Sequence, residues 1–262
     1  MILITGSQGF IGSYLMQAIP GAIGIDNVNR KTKNGFIPVD IRDYNSLFWM
    51  IRDYKIDAVL HNAAIPSVPN SYKDPIKTYE NNISASINLI KVCKILEIPK
   101  FIFASTSSVN GPSPYGHSKK VIEEVLEKSG LDYTVLRYFN VFGKGQRENV
   151  VSIMIKALQE NLELCIYGDG TTTRDFSHVN NVVAANKKVL GGDYKGQILE
   201  VGTGESYSLL HLYKKLREKI NPLHDKLRFC EERVGDLKYS NAKTFLQPHE
   251  ITKSNEGLDL CL

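Results

Sequence analysis

Cysteine is scarce in this chain of 262 residues: Cys93, Cys165, Cys230 and Cys261 are the only four, with no Cys-x-x-Cys pair and no histidine at metal-ligand spacing. That argues against a disulfide scaffold and a metal site, so the four thiols read as reduced and no metal is expected. No apolar run approaches the roughly 18 residues a membrane span requires. The glycine at position 6 follows Met1 too closely for a signal peptide, so the chain reads as cytoplasmic, without a membrane partner. Basic charge is in slight excess, 32 Lys and Arg against 28 Asp and Glu, and it is scattered, which excludes a banked surface for nucleic acid. Low-complexity segments, repeats and linkers are also missing. With 42% hydrophobic residues the chain buries an ordinary core, and its length suits a large α/β domain carrying a smaller lobe.

What is present is an alternating rhythm. Residues 1–5 form an apolar run broken by Gly6, and 10–19 carry apolar residues at helical spacing until Pro20 stops them. Strands are further predicted at 22–26, 36–39, 58–61, 100–105 and 132–137, with helices at 44–54, 76–96 and 115–128. Such alternation predicts an α/β fold: a Rossmann-type doubly wound parallel sheet covered on both faces. Beyond Gly143 the rhythm loosens. Helices near 150–159, 181–190 and 208–219, strands near 165–167 and 198–201, and a Gly-Asp-Gly turn at 168–170 predict a smaller C-terminal lobe. Residues 1–143 are expected to form mainly the sheet domain and 144–262 mainly the lobe, with some chain returning to the first domain. From Asn241 on, the chain is polar and poorly periodic, which predicts an irregular tail.

Gly6, Gly9 and Gly12 form Gly-x-x-Gly-x-x-Gly between the first strand and the first helix. Without side chains the turn tightens, and a pyrophosphate can approach backbone N–H groups at the positive end of a helix. Three packing glycines would look the same in isolation. Asp26 tips the balance: twenty residues past Gly6, at the end of the second strand, its carboxylate can accept from both ribose hydroxyls of a dinucleotide. The same charge repels a 2′-phosphate and favours NAD over NADP, although Arg30, Lys31 and Lys33 follow closely and offer that phosphate a clasp.

Tyr115 and Lys119 stand one turn apart at the start of a predicted helix, just past the fifth strand. An ammonium beside a phenol favours the phenolate and predicts a lowered tyrosine pKa, so that Tyr115 can trade a proton with a substrate alcohol while hydride moves to or from nicotinamide. Tyr239 with Lys243 repeats the spacing, but only Tyr115 follows a hydroxyl cluster, Ser105-Thr106-Ser107-Ser108, at the carboxyl end of a strand, where open parallel sheets bind their ligands.

At this point the chain resembles the extended short-chain dehydrogenase/reductase superfamily, and within it the NAD-dependent nucleotide-sugar epimerase/dehydratase family. The likeness rests on Thr5-Gly6-Ser7-Gln8-Gly9-Phe10-Ile11-Gly12, Asp40-Ile41, His61-Asn62-Ala63-Ala64, Tyr115 with Lys119, Arg137-Tyr138-Phe139-Asn140-Val141-Phe142-Gly143, Tyr167-Gly168-Asp169-Gly170, Arg174-Asp175-Phe176 and Arg233-Val234-Gly235-Asp236. The resemblance implies that Gln8, Phe10 and Ile11 share the glycine turn's role and that Asn27 adjoins Asp26 on the ribose. Asp40 and Ile41 would contact adenine, Asn62, Ala63 and Ala64 the pyrophosphate and nicotinamide ribose, and Asn81 a further part of the cofactor. Thr106 matches the family's catalytic Ser/Thr, Tyr115 its general acid/base and Lys119 its ribose-binding lysine. Thr106 would also touch the substrate. Asn140, Arg174 and Arg233 match positions that hold the diphosphate of a nucleoside-diphosphate sugar, and Asp236 one that holds its ribose. Guanidinium forks suit that diphosphate; taken alone, Arg174 would read as paired with Asp175, and Arg233 with Glu231 or Glu232.

The departures narrow the chemistry. Where dehydratases of this family carry an acidic pair after the threonine, this chain has Ser107 and Ser108, so elimination loses its acid and base. Asn110 replaces a customary tyrosine, and the segments between Thr106 and Tyr115 and between Asp26 and Asp40 are short. Asn181 replaces a customary aspartate. His61 and His178 read as hydrogen-bonded structural histidines, and His117 as solvent-facing. The expected activity is NAD-dependent oxidoreduction at a sugar carbon, C4, with epimerisation first. The alternatives are a nucleotide-sugar 4-ketoreductase or dehydrogenase and, in another class, a non-catalytic dinucleotide sensor. The family's pairing of the 76–96 and 115–128 helices across a two-fold axis implies a homodimer.

Overall fold

Near-continuous Ile, Leu, Val and Phe content requires strands covered on both sides, and the structure, a computed structural model, has them: residues 58–61 and 101–106 are buried throughout. It describes residues 1–28, 36–233, 235 and 237–262. Arg30, Lys31, Lys33 and Asp236, which carry expectations above, lie outside the described residues.

In chain order the elements begin β1 (Ile2–Thr5), α1 (Phe10–Ala18), β2 (Ile23–Asp26), β3 (Phe36–Pro38), α2 (Tyr44–Arg52), β4 (Ala58–His61), α3 (Val68–Lys73) and α4 (Pro75–Tyr79). They continue with α5 (Ala85–Ile95), β5 (Phe101–Thr106), α6 (Pro114–Ser129), β6 (Tyr133–Tyr138), α7 (Val150–Gln159), β7 (Leu164–Tyr167) and β8 (Thr173–Asp175). Last come α8 (Val179–Gly191), β9 (Gln197–Val201), β10 (Ser206–Ser208), α9 (Leu209–Ile220), β11 (Leu227–Cys230) and α10 (Ser254–Asp259). Two compact units result: Met1–Arg137 with Val183–Leu199, and Tyr138–Val182 with Glu200–Leu262.

The main sheet runs β3-β2-β1-β4-β5-β6-β9, with β2 parallel to β3 and β1, and β4 parallel to β1 and β5. Strand order therefore reverses between β1 and β4, the switch point at which doubly wound sheets open a crevice at their carboxyl ends. In the first unit, Leu3, Ile25, Val59, Phe101, Phe103 and Val135 of the strands meet Leu47, Leu89, Val92, Ile122 and Leu126 of the helices. Each such fully buried side chain contributes about 1.5–3 kcal/mol. Lys100 donates to the carbonyls of Val189, Leu190 and Gly192, satisfying the C-terminus of α8.

The 76–96 helix is not continuous. Between α4 and α5 the backbone widens into a π-helical turn at Glu80–Ser84, within which the Asn82 side chain is buried against other elements. In the second unit, β10 pairs antiparallel with β8, and β11 parallel with β7, around Phe142, Met154, Leu164, Phe176, Leu212 and Leu216.

Two expectations fail here. The thiols are not all free: Cys165 on β7 and Cys230 at the end of β11 form a disulfide, their Cα atoms 6.0 Å apart, because parallel pairing brings together residues that are 65 apart in sequence. Cys93 and Cys261 are free. Nor is the tail irregular throughout. Ala242, Leu246 and Leu258 are buried, Ser254 donates to the Phe176 carbonyl, and Thr252 exchanges two hydrogen bonds with the buried Asn181. The ties are long-range side-chain contacts, which leave no periodicity to read.

Candidate active site and cofactor site

The turn after β1 has no space for side chains. Gly6 has φ +67°, and a Cβ there would stand 2.8 Å from the Ala63 backbone nitrogen; at Gly12 it would stand 2.0 Å from the Gly6 carbonyl oxygen. The glycines thus let the ends of β1 and β4 approach at the switch point. Helix α1 starts at Gly9 with no side-chain cap and no acid in its first turn, which leaves its leading N–H groups for an anion. Gln8 donates its backbone N–H to Asp26 Oδ2 at 2.9 Å, so the carboxylate ending β2 lies beside that turn, with Asn27 next in the chain. Val39 N–H donates to the Asp26 carbonyl, bringing Asp40 and Ile41 to the same end of the sheet. Arg42 grips Asp40 with a 2.6 Å contact, and this hydrogen bond holds its carboxyl below the usual range.

A hydroxyl chain braces the loop after β4. Ala63 N–H donates to Thr5 Oγ1, Thr5 Oγ1 is 2.7 Å from His61 Nδ1, and His61 Nε2 is 2.8 Å from Ser86 Oγ, which donates to the Asn82 carbonyl. The donors fit one arrangement: Thr5 gives its proton to Nδ1, and Nε2 carries the ring hydrogen. Burial pushes this imidazole down to about 3, so His61 is a neutral structural residue, as its sequence context implies. Asn62 Oδ1 is buried without a partner. The glycine cradle, the uncapped helix, the Asp26 carboxylate and this orphan acceptor together fit a dinucleotide.

The two adjacent asparagines of the next segment bond to different partners. Asn81 donates to the Lys77 carbonyl one turn back, whereas Asn82, fully buried in the π turn, accepts from Ile65 N–H and donates to the Ile65 carbonyl and Ser118 Oγ. Asn82 thereby ties the post-β4 loop to α6, a role that two adjacent asparagines leave ambiguous in sequence; the inward-facing position on the helix was the available clue.

Helix α6 starts with Pro114 at its first position and Ser113 as cap, accepting from Gly116 N–H at 3.0 Å. This aims Tyr115 at Thr106 on the end of β5, whose side chain acts on the phenol. Thr106 also accepts from Ser108 N–H, fixing the short turn 107–110. One turn along α6, Lys119 is 3% exposed; its Nζ donates to the Ala104 carbonyl at 2.8 Å and lies 4.7 Å above the Phe103 ring. Here the expected electrostatics are corrected. Burial pushes Tyr115 up to about 12, with Thr106 opposing, and burial pushes Lys119 down to about 7 against the pull of Glu123. His117 is exposed and contacts the Tyr79 hydroxyl at 3.2 Å.

The second unit carries the remaining residues. Asn140 holds a left-handed φ of 34° and donates to the Asp175 carbonyl at 2.9 Å. The Asp175 carboxylate accepts from Thr203, Gly204 and Ala242, and Arg174 on β8 donates to the Thr173 carbonyl. Arg233 stacks its guanidinium 3.6 Å from the Tyr167 ring centroid, and its hydrogen bond holds that phenol below the usual value. Buried His178 packs edge-on against Phe142 and accepts from Asn180 N–H, again a structural histidine. Asn181 suits its partner, the Thr252 peptide, which needs both a donor and an acceptor.

Residues 2–202 match the model of the NAD dependent epimerase/dehydratase family. The chain belongs to that family. A putative UDP-glucose 4-epimerase of Methanocaldococcus jannaschii is 33% identical, the match covering 84% of this chain and 82% of that protein. The UDP-glucose 4-epimerase of Thermotoga maritima, solved with UDP-glucose, superposes with a TM-score of 0.90 at 29% identity over 99% of this chain and 96% of its own. UDP-glucuronic acid 4-epimerase of Bacillus cereus, solved with UDP-glucuronic acid and NAD, gives a TM-score of 0.89 at 29% identity, with coverage of 99% and 96%. The expected Rossmann-type α/β fold, the NAD dependence and the expectation of a nucleotide-sugar 4-epimerase are borne out by this family and these relatives.

Proposed function

We propose that this protein inverts C4 of a UDP-sugar, with Thr106, Tyr115 and Lys119 as the catalytic group and NAD held by the first unit. The observation that carries the reading is the buried Tyr115 phenol beside Thr106, with Lys119 one turn along the helix and anchored on the Ala104 carbonyl, together with Ser107 and Ser108 where elimination would need an acid and a base. NAD, when bound, supplies a hydride acceptor that returns the hydride and so ends the cycle unchanged. Gly6, Gln8, Gly9, Phe10, Ile11 and Gly12 would hold its pyrophosphate, Asp26 and Asn27 a ribose, Asp40 and Ile41 the adenine, and Asn62, Ala63, Ala64, Asn81 and Lys119 the nicotinamide half.

The residues act as follows. Thr106 holds the C4 oxygen of the sugar, and Tyr115 takes its proton as the C4 hydrogen leaves. Lys119 compensates the phenolate charge when protonated, which eases a deprotonation that burial alone opposes. The 4-keto sugar then turns within the site, and Tyr115 returns the proton to an oxygen now on the opposite face. Asn140, Arg174 and Arg233 of the second unit would grip the diphosphate during this turn, with Asp236 on the ribose, so that the diphosphate stays anchored while the ring moves.

The active form is read as a cytoplasmic homodimer. Ile76 and Ile95, 71% and 58% exposed at the two ends of the α4–α5 segment, are the apolar groups that a second copy would cover. Among the described residues no helix is long and apolar enough to cross a membrane.

The decisive test is to denature the purified protein and assay the released cofactor. Near-stoichiometric NAD supports the closed redox cycle. A cofactor-free protein that consumes NADH or NADPH against a 4-keto sugar would make it a reductase instead. Tyr115→Phe should abolish turnover while leaving NAD bound; undiminished turnover would remove the assignment.

A further inference from the structure

One buried ion pair has no part in the chemistry described so far. Glu123 lies on α6 one turn beyond Lys119 and two beyond Tyr115, so the three side chains share a face. Each is engaged by one of three successive β5 residues: Lys119 by the Ala104 carbonyl, Glu123 by the Ser105 hydroxyl at 2.6 Å, and Tyr115 by the Thr106 hydroxyl. From β6, Arg137 adds a two-pronged contact, Nε to Oε1 at 2.9 Å and Nη2 to Oε2 at 2.6 Å. Glu123 is 3% exposed, and its carboxylate accepts three hydrogen bonds, from Ser105 and Arg137. A buried ion pair is a poor way to gain stability, since apolar side chains of similar volume serve as well or better, and that points to a role in the site next door.

We propose that Glu123 is a positioning residue for the Tyr115–Lys119 pair, seating α6 on β5 and, balanced by Arg137, setting the electrostatic field in which that pair exchanges protons. The inference rests on Tyr115 and Lys119 being the proton-handling pair. Among the described residues, these charged and titratable groups act on the pair or on Glu123. Glu123 is the acid that acts on Lys119 within α6; from β4, His61 faces Lys119 but is neutral; from β6, Arg137 reaches the pair through Glu123; Thr106 of β5 meets the phenol. A negative charge at Glu123 favours the protonated form of both Lys119 and Tyr115, and the Arg137 charge works in the opposite direction.

The test compares pH–rate profiles for C4 inversion of UDP-glucose in the wild type, Glu123→Gln, Arg137→Gln and the double variant. In parallel, the pH dependence of Lys119 acylation by trace acetic anhydride, read by mass spectrometry, needs no turnover. Glu123→Gln should move both limbs of the profile, and the Lys119 labelling midpoint, to lower pH by about one unit, and Arg137→Gln should move them up. The double variant should return close to the wild-type position. If Glu123→Gln alone does not fold, Arg137→Gln against the double variant isolates the same charge. A fall in rate or melting temperature with unmoved limbs and labelling midpoint would reduce Glu123 to a structural residue and overturn the proposal. Failure of the underlying reading shows separately, as full activity in Tyr115→Phe.

Discussion

Replacing Gly116 with alanine adds one methyl group at a place where the fold has no room for it. A Cβ at this position would stand 2.1 Å from the Ser108 carbonyl oxygen and 2.9 Å from its carbon, more than an ångström short of ordinary van der Waals contact. The obstacle is backbone, so no rotamer relieves it. Either α6 or the turn 107–110 must move, and both carry catalytic groups: Tyr115 precedes Gly116, and the turn is capped by the Thr106 hydroxyl accepting from Ser108 N–H. Either movement shifts Tyr115 relative to Thr106. Misplacement of a reacting group by about 1 Å costs on the order of 10²-fold in rate, while overpacking costs about 1–3 kcal/mol of stability. Gly116→Ala should thus still fold and retain NAD, since the glycine turn is untouched, but lose about two orders of magnitude in kcat for UDP-glucose inversion. A variant with wild-type kcat would refute the view that the 107–110 turn and the start of α6 jointly set the catalytic geometry.

Two further outcomes concern the second unit. Without reductant, thiol titration under denaturing conditions should find two reactive cysteines, Cys93 and Cys261, and reducing the Cys165–Cys230 bridge should lower stability by about 4 kcal/mol, the closure entropy of so long a loop; four free thiols in the oxidised protein would contradict the pairing. Asn181→Asp keeps the acceptor for Thr252 N–H but turns a donor into a carboxylate facing the Thr252 carbonyl, so it should cost about 1–3 kcal/mol and lower the melting temperature; an unchanged or raised Tm would show that the amide is not needed.

The strands and helices of the first unit were legible because their apolar residues cluster locally, as short unbroken runs in the strands and at intervals of about three and a half positions in the helices, and because Gly6 and Pro20 punctuate them. The glycine turn and Asp26 were legible for the same reason: one ligand imposes both within a single βαβ unit. Features made by distant partners were not. Nothing local announces that Cys165 meets Cys230, that Thr252 binds Asn181, or that β8 and β10 pair over three residues each. The π turn was missed because it falls in a segment whose hydrophobic pattern is continuous helix. The Tyr115–Lys119 spacing was legible, but its electrostatics were not: burial is a property of the packed core, and it reversed the expected shift of the phenol.

The central claim is a redox cycle closed within one active site, and isotope retention tests it most directly. UDP-glucose carrying deuterium at C4, incubated with the protein and no added cofactor, should yield UDP-galactose that keeps the deuterium at C4, because the hydride removed is the hydride returned. Product that has lost the label, or turnover that requires added NADH or NADPH, would contradict the account.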